Sequence, residues 1–244
     1  MDWCYSVYTG CCSLAGRFIE ACSHARGAYV VAEEEYGLDR SGEVWASTYA
    51  WLDCWSLCRG LDRLYNRIQG ARLCIIGPNA VAPPGGCDAY AGPEPAAWLA
   101  ASWGLRLSYI TSDLDALQPI VSLIPFTADV AFIHVHSDNI YRVAGYRPMV
   151  DTIYTSQVCT PQNTLPLGGF TDGDRAVIIG LVLGASEIVL EGYGPPEASW
   201  YKSQASWKAG KLDVAFRIIR RVSAGLGYMV LEDGGGRIVI RSQS

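Results

Sequence analysis

Lysine is almost missing from this 244-residue chain: Lys202, Lys208 and Lys211 are the only three, so 16 of its 19 basic residues are arginine. No lysine- or arginine-rich run occurs and the net charge is −5, so the clustered cations that neutralise nucleic-acid phosphates are absent. That excludes a nucleic-acid surface. Histidine is equally scarce. With only His24, His134 and His136, the chain cannot supply the several imidazoles of a binuclear hydrolase centre, although His134-Val135-His136-Ser137-Asp138 would open one. Long apolar runs are missing too: Ala176 to Ser186 holds two glycines and stops at Glu187, short of the ~20 residues that a membrane helix needs. Neither a membrane span nor a basic, apolar leader at Met1-Asp2-Trp3-Cys4 is read, and a cytoplasmic protein is expected.

Half of the residues are hydrophobic, enough for a sizeable core in one large domain or in a core with an appendage. Nine cysteines are present, six of them (Cys4, Cys11, Cys12, Cys22, Cys54 and Cys58) in the first sixty positions. Buried thiols or occasional disulfides explain them more simply than zinc, because no Cys-x-x-Cys pair accompanies Cys54, Cys58 and His24. Few lysines and intracellular disulfides would both suit a thermophilic archaeal source.

Three regions are expected. Residues 1–70 read as mostly helical, with Val44, Trp45, Tyr49, Leu52, Trp55 and Leu61 as a helical stripe whose simplest role is packing. Residues 71–222 alternate short apolar strands with helices. Leu73-Cys74-Ile75-Ile76, Leu107-Ser108-Tyr109-Ile110, Val130-Ala131-Phe132-Ile133 and Glu187-Ile188-Val189-Leu190 are strands buried on both faces. Residues 81–95, rich in proline and glycine, read as an irregular connection before a helix near Glu94 to Trp103. Residues 223–244 contain a β-hairpin, Tyr228–Glu232 and Arg237–Ile240 around Asp233-Gly234-Gly235-Gly236. The fold class is therefore α/β, a three-layer α/β/α Rossmann-like parallel sheet with a helical N-terminal region and a C-terminal β-hairpin.

Chemistry concentrates where strands end. Thr111-Ser112-Asp113-Leu114-Asp115 and His134-Val135-His136-Ser137-Asp138-Asn139 each follow a strand, and Gly168-Gly169-Phe170-Thr171-Asp172-Gly173-Asp174-Arg175 runs into an apolar helix. Ligands of open α/β sheets sit at the carboxyl ends of the strands, and a helix N-terminus after glycines suits a phosphate. One aspartate of the last motif is explained by helix capping. Two carboxylates about 4 Å apart repel by roughly 1 kcal/mol in water and about 4 kcal/mol at an effective dielectric of about 20, so converging acids call for a cation. Hard oxygen ligands suit Mg²⁺. His134 and His136 with one carboxylate could instead hold a single transition metal, but His134, deeper in its strand, reads better as structural.

Asp113-Leu114-Asp115, His134-x-His136-x-Asp138-Asn139 and Gly168 to Ala176, in that order, resemble the archaeal-type 6-hydroxymethyl-7,8-dihydropterin pyrophosphokinases, whose catalytic core is similar to that of thiamine pyrophosphokinase. The resemblance runs from about Arg72 to Arg220. It implies Mg²⁺-dependent transfer of the β,γ-pyrophosphate of ATP to a pterin hydroxymethyl group, with release of AMP, as in folate or methanopterin-type biosynthesis. Asp113, Asp115, Asp172 and Asp174 become metal-ligand candidates, and Asp138 joins them as a catalytic candidate. Gly77, Pro78, Asn79, Gly168, Gly169, Thr171, Gly173 and Arg175 are candidates for ATP, His136 and Asn139 for the pterin. The chain departs from the family pattern at Ala116 and Ser137, at Cys87-Asp88-Ala89-Tyr90, where Asp88 is the acid nearest to an expected motif, and at Gly192-Tyr193-Gly194. Lys202, Lys208 and Lys211 read as a solvated helix entry or as reaching the triphosphate. Thiamine pyrophosphokinase chemistry and a non-catalytic nucleotide-binding module are the alternatives. Expected partners are the small molecules, with room for a homo-oligomer.

Overall fold

The structure is a computed structural model that describes residues 9–36, 40–49, 54–159, 163–193, 205–232 and 237–243. Lys202, Leu52, Gly194-Pro195-Pro196 and the turn 233–236 lie outside the described residues, as do the side chains of Tyr49, Trp55 and Lys208. Helices α1 (Thr9–Tyr36), α2 (Arg40–Tyr49) and α3 (Cys54–Ile68) precede the first strand, β1 (Arg72–Ile76). Then come β2 (Ala89–Pro93), α4 (Ala96–Trp103), β3 (Leu107–Ser112), α5 (Gln118–Thr127), β4 (Ala128–His134), α6 (Ile140–Gly145) and β5 (Asp151–Ser156). The chain continues through β6 (Leu165–Pro166), α7 (Asp172–Val182), β7 (Glu187–Glu191), α8 (Ala205–Gly225), β8 (Tyr228–Glu232) and β9 (Ile238–Ser242). Among the described residues no helix is long and apolar enough to cross a membrane.

Nine strands form one sheet in the order β6-β5-β4-β3-β2-β1-β7-β9-β8. Pairing is parallel from β6 through β7, and the hairpin β8–β9 joins β7 antiparallel. The central parallel strands are buried because helices cover both faces; all six residues of β3 are buried. One apolar layer packs α1, α3, α7 and α8 against Leu73, Ile75, Tyr109, Phe132 and Ile188, and the other packs α4, α5 and α6 against Ile76, Ile110 and Ile133. Residues of the N-terminal helices, such as Phe18 and Leu61, thus share a core with the sheet.

Two expectations change. Residues 81–95 contain a strand, β2, reading Ala-Tyr-Ala-Gly-Pro. Its small residues lack the branched apolar signature of a buried strand, and it is recognisable only through its pairing with β1 and β3. The helical stripe also fails as core at Val44 and Trp45, which are 46 % and 57 % exposed, while α2 buries Glu43, Ala46 and Ser47 instead. Leu61 is buried as expected.

Among the described residues, two disulfide pairs link distant segments. Cys22–Cys159 joins α1 to the connection after β5, and Cys74–Cys87 joins β1 to the segment before β2. Cys58 is also disulfide-bonded, so it is not available as a zinc thiolate.

Candidate active site

Parallel register brings the acids together. Pro93 pairs with Thr111, so the next residues along the chain, Glu94 after β2 and Ser112 at the end of β3, lie side by side. Ser112 Oγ donates to Glu94 Oε1 at 2.7 Å and the Ala116 N–H donates to Oε2 at 2.9 Å. Leu114 takes a left-handed conformation, φ 60°, which is costly for a leucine. That turn is held by the Leu114 N–H to Ser112 Oγ (2.9 Å) and the Asp115 N–H to Asp113 Oδ1 (3.2 Å), and it points Asp113 and Asp115 back toward Glu94. Ligand oxygens of Glu94, Asp113 and Asp115 all lie within 4.8 Å of one another. Three hard anionic donors at this spacing fit a divalent cation such as Mg²⁺.

Glu94 is the acid that sequence reasoning missed. Asp88, the nearest candidate, lies at the opposite end of β2, where its Oδ2 accepts the Arg72 N–H at 2.8 Å. The signal for Glu94 was an acid directly after a Gly-Pro that ends a strand, hidden because the strand itself went unrecognised. Burial raises the Glu94 carboxyl to about 7, against the bond from Ser112 and with help from the negative charge of Asp113.

The helix α7 brings the next group. Thr111 Oγ1 donates to the Asp172 backbone carbonyl at 2.7 Å, fixing the helix start beside β3. The Asp172 carboxyl is held above its ordinary value by burial and then by the charge of Asp113, opposed by Arg175, whose NH1 lies 3.2 Å from Asp172 Oδ1. Asp113 moves the other way: burial raises it, but the His136 hydrogen bond and Arg175 outweigh that and hold it below the usual carboxylate range. Asp113, Asp115, Asp172 and Arg175 therefore form one electrostatic unit with Glu94.

Asp174 stands apart. Its Oδ2 accepts the Phe170 N–H (2.9 Å) and its Oδ1 the Thr171 N–H (2.7 Å), while Thr171 caps α7 by accepting the Asp174 N–H. This capping box engages both oxygens of the carboxylate. The glycines before it are crowded by the protein itself. With φ of 68° and 80°, a Cβ on Gly168 would meet Ala25 of α1 at 3.0 Å, and one on Gly169 would meet Arg175 at 2.7 Å. A Cβ on Gly173 would strike the Tyr193 ring at 2.9 Å, and on Gly77 the Gly192 carbonyl and Tyr193 at 2.7 Å. The Gly77-Pro78-Asn79 turn is joined to the end of β7 by Gly77 N–H to Glu191 O (2.6 Å) and Asn79 N–H to Gly192 O (3.2 Å). Close backbone approach here is to neighbouring chain segments.

Along the loop after β4, His134 is buried, with Nδ1 3.2 Å from Thr155 Oγ1 and Nε2 3.1 Å from Gln157 Oε1. Burial, then the charges of Arg175 and His136, push it well below its ordinary value, so it is a neutral structural imidazole. Half-buried His136 accepts the Asp138 N–H at Nδ1 (3.3 Å) and turns Nε2 toward Asp113 Oδ2 at 3.8 Å. Asp138 is exposed. Asn139 is fully buried, and its amide bonds the carbonyls of Asp113 (2.8 Å) and His134 (2.6 Å) and the His136 N–H (3.0 Å). It ties the β3 and β4 loops to each other. Lys211 lies 5.5 Å from the Phe170 ring centroid.

Fold and site define a mostly parallel α/β protein with a cluster of three acids, Glu94, Asp113 and Asp115, at the carboxyl ends of its strands that could hold a cation. No protein-family model matches the chain. Over 84 residues, 34% of the chain, it is 36% identical to 6-hydroxymethyl-7,8-dihydropterin pyrophosphokinase from Methanothermobacter thermautotrophicus, and the match covers 36% of that protein's length. The alignment thus spans about a third of each protein.

Proposed function

We propose that the chain is a Mg²⁺-dependent pyrophosphokinase that transfers the β,γ-pyrophosphate of ATP to 6-hydroxymethyl-7,8-dihydropterin, giving the pterin diphosphate and AMP. The observation that carries this reading is the convergence of Glu94, Asp113 and Asp115 beside Asp172 and its ion-paired Arg175. The name of the partly matching relative supports the choice of acceptor.

In this reading Glu94, Asp113 and Asp115 hold the cation, with Asp172 adjoining. Bound Mg²⁺ would offset the charge of the phosphate oxygens. Arg175 is buried, and its Nε has no hydrogen-bond partner; its fixed charge is available to the triphosphate. The acceptor hydroxyl attacks the β-phosphorus, its proton passes to a carboxylate of the cleft, and the bond between the β-phosphorus and the oxygen retained by AMP breaks. Positioning and charge neutralisation supply most of the acceleration in such transfers.

The test is to incubate the protein with ATP, Mg²⁺ and 6-hydroxymethyl-7,8-dihydropterin and to identify the nucleotide product. AMP in step with pterin diphosphate is expected. Stoichiometric ADP would refute attack at the β-phosphorus, AMP formed only with thiamine would move the acceptor, and no product with either would leave a non-catalytic nucleotide-binding module.

A further inference from the structure

Two loops of the candidate active site lean on one covalent bond. Cys22 is fully buried on α1, and its partner Cys159 is half-buried in the segment after β5. The first loop follows β4. Cys22 Sγ lies 3.8 Å from the Gln157 carbonyl oxygen, and the Gln157 side chain holds buried His134 at 3.1 Å. The His134 carbonyl accepts the Asn139 amide at 2.6 Å, and the same amide bonds the Asp113 carbonyl at 2.8 Å. Through Gln157, His134 and Asn139 the disulfide is thus joined to Asp113, one of the clustered acids.

The second is the glycine-rich loop. A Cβ on Gly168 would lie 3.4 Å from Cys22 Cα and 3.6 Å from its sulfur, so this backbone runs directly over the disulfide. A Cβ on Gly169 would meet Arg175 Cγ at 2.7 Å, and the Arg175 guanidinium pairs with Asp172. The Leu167 and Gly168 N–H groups also donate to Ser156 O, at 2.9 and 3.4 Å, at the end of β5. Both loops therefore take their position from the segment that Cys159 anchors to α1. The bond Cys74–Cys87 is placed otherwise: Cys87 precedes β2, and Glu94 follows the opposite end of that strand.

We infer that Cys22–Cys159 is a redox control on the active site, whose reduction frees the segment after β5 from α1 and loosens the loops that hold Asp113 and Arg175. A thiolate of a dithiol reductant attacks Cys159 Sγ, the half-buried sulfur; the S–S bond breaks and its electron pair leaves on Cys22 Sγ. The reductant's second thiolate then displaces Cys159, giving a cyclic disulfide, and the two protons lost by the reductant are taken up by the two cysteines. Two electrons pass to the protein. Redox changes act in this way when they bias a local element between two states of order. The consequence for turnover rests on the proposed pyrophosphoryl transfer; the loosening of the loops does not.

The test follows hydrogen–deuterium exchange peptide by peptide, below the melting transition, in the oxidised and the dithiothreitol-reduced full chain. Segments 134–139 and 163–176 should exchange faster on reduction, while β3 and β7 keep their rates. Cys74→Ser with Cys87→Ser should respond like the wild type. Cys22→Ser with Cys159→Ser should exchange fast in both loops without reductant and respond no further. AMP release from ATP, Mg²⁺ and the pterin should fall by about ten- to a hundredfold on reduction, the scale of a small misplacement of reacting groups, and should recover on reoxidation. Unchanged exchange in both loops would overturn the inference. Equal acceleration in β3 and β7 would also overturn it, because that marks a loss of global stability. A reductant response surviving in Cys22→Ser with Cys159→Ser would place the control in another bond, and undiminished AMP release from protein with loosened loops would show that the bond controls nothing at the site. No AMP in either redox state would refute the proposed function, and the exchange rates alone would then decide the inference.

Discussion

Glu94, directly after β2, and Ser112, the last residue of the adjacent β3, are 18 residues apart in sequence and share a buried hydroxyl-to-carboxylate hydrogen bond of 2.7 Å. Burial beside Asp113 and Asp115 raises the Glu94 carboxyl to about 7, against the Ser112 hydrogen bond, which lowers it. Without a cation, the folded protein therefore keeps the Glu94 proton up to a higher pH than the unfolded chain does. Between the ordinary value of 4.5 and about 7 the native state binds more protons, so this group's contribution to stability falls as pH rises. The loss amounts to about 3 kcal/mol at most. Neutral, buried His134 acts in the opposite direction, since only the unfolded state protonates it as pH drops through its ordinary value of 6.5. Denaturant melts in EDTA at pH 5 and pH 8 should separate the two: Glu94→Gln should gain stability relative to wild type at pH 8 and little at pH 5. Added Mg²⁺ should narrow the wild-type deficit at pH 8.

Asp115 and Asp174 should respond differently to amidation. Asp115→Asn removes a charge from an exposed position in the cleft, so Mg²⁺-dependent AMP release should fall at least a hundredfold, on the order of the effect of one key electrostatic group, with an unchanged melting temperature. Asp174→Asn loses an acceptor oxygen for the Phe170 or Thr171 N–H and should cost about 1–2 kcal/mol of stability. Parallel activity and melting measurements check both; an equal loss of turnover without destabilisation in Asp174→Asn would place that acid in the chemistry instead.

Asn139→Ala should be the most disruptive single change in the loops. It removes the donors to Asp113 O and His134 O and the acceptor of the His136 N–H at a fully buried position. A cost of about 2–4 kcal/mol is expected. At this chain size each kcal/mol lowers the melting temperature by about 2–4 °C, which differential scanning calorimetry resolves.

Cys22–Cys159 closes a 137-residue separation. Chain entropy puts the stabilisation from a loop of that size at up to about 5 kcal/mol. Cys22→Ser with Cys159→Ser should lower the denaturant midpoint accordingly, whereas the same double substitution should leave the melts unchanged in a reducing buffer that already opens the bond.

Four of the parallel strands, β1, β3, β4 and β7, the helix that follows the glycine-rich motif and the closing hairpin were legible from residues alone. Runs such as Leu73–Ile76 and Val130–Ile133 are apolar at every position, a pattern that only burial on both faces explains. The acids of Asp113-Leu114-Asp115 and Asp172-Gly173-Asp174 were visible by the same logic, since they stand where strands stop and a helix starts. What the sequence could not separate was which acid of Asp172-Gly173-Asp174 joins Asp113 and Asp115. A capping box consumes Asp174 and leaves Asp172 beside Asp113, and that choice depends on where the Thr171 side chain and the Phe170 N–H come to rest. Glu94 was out of reach for a different reason. It joins Asp113 and Asp115 through strand register, which sets it beside Ser112, and a pairing across 18 residues is set by packing of the whole fold. Local pattern specifies the period and ends of an element; which buried face receives a carboxylate is decided only when the layers close.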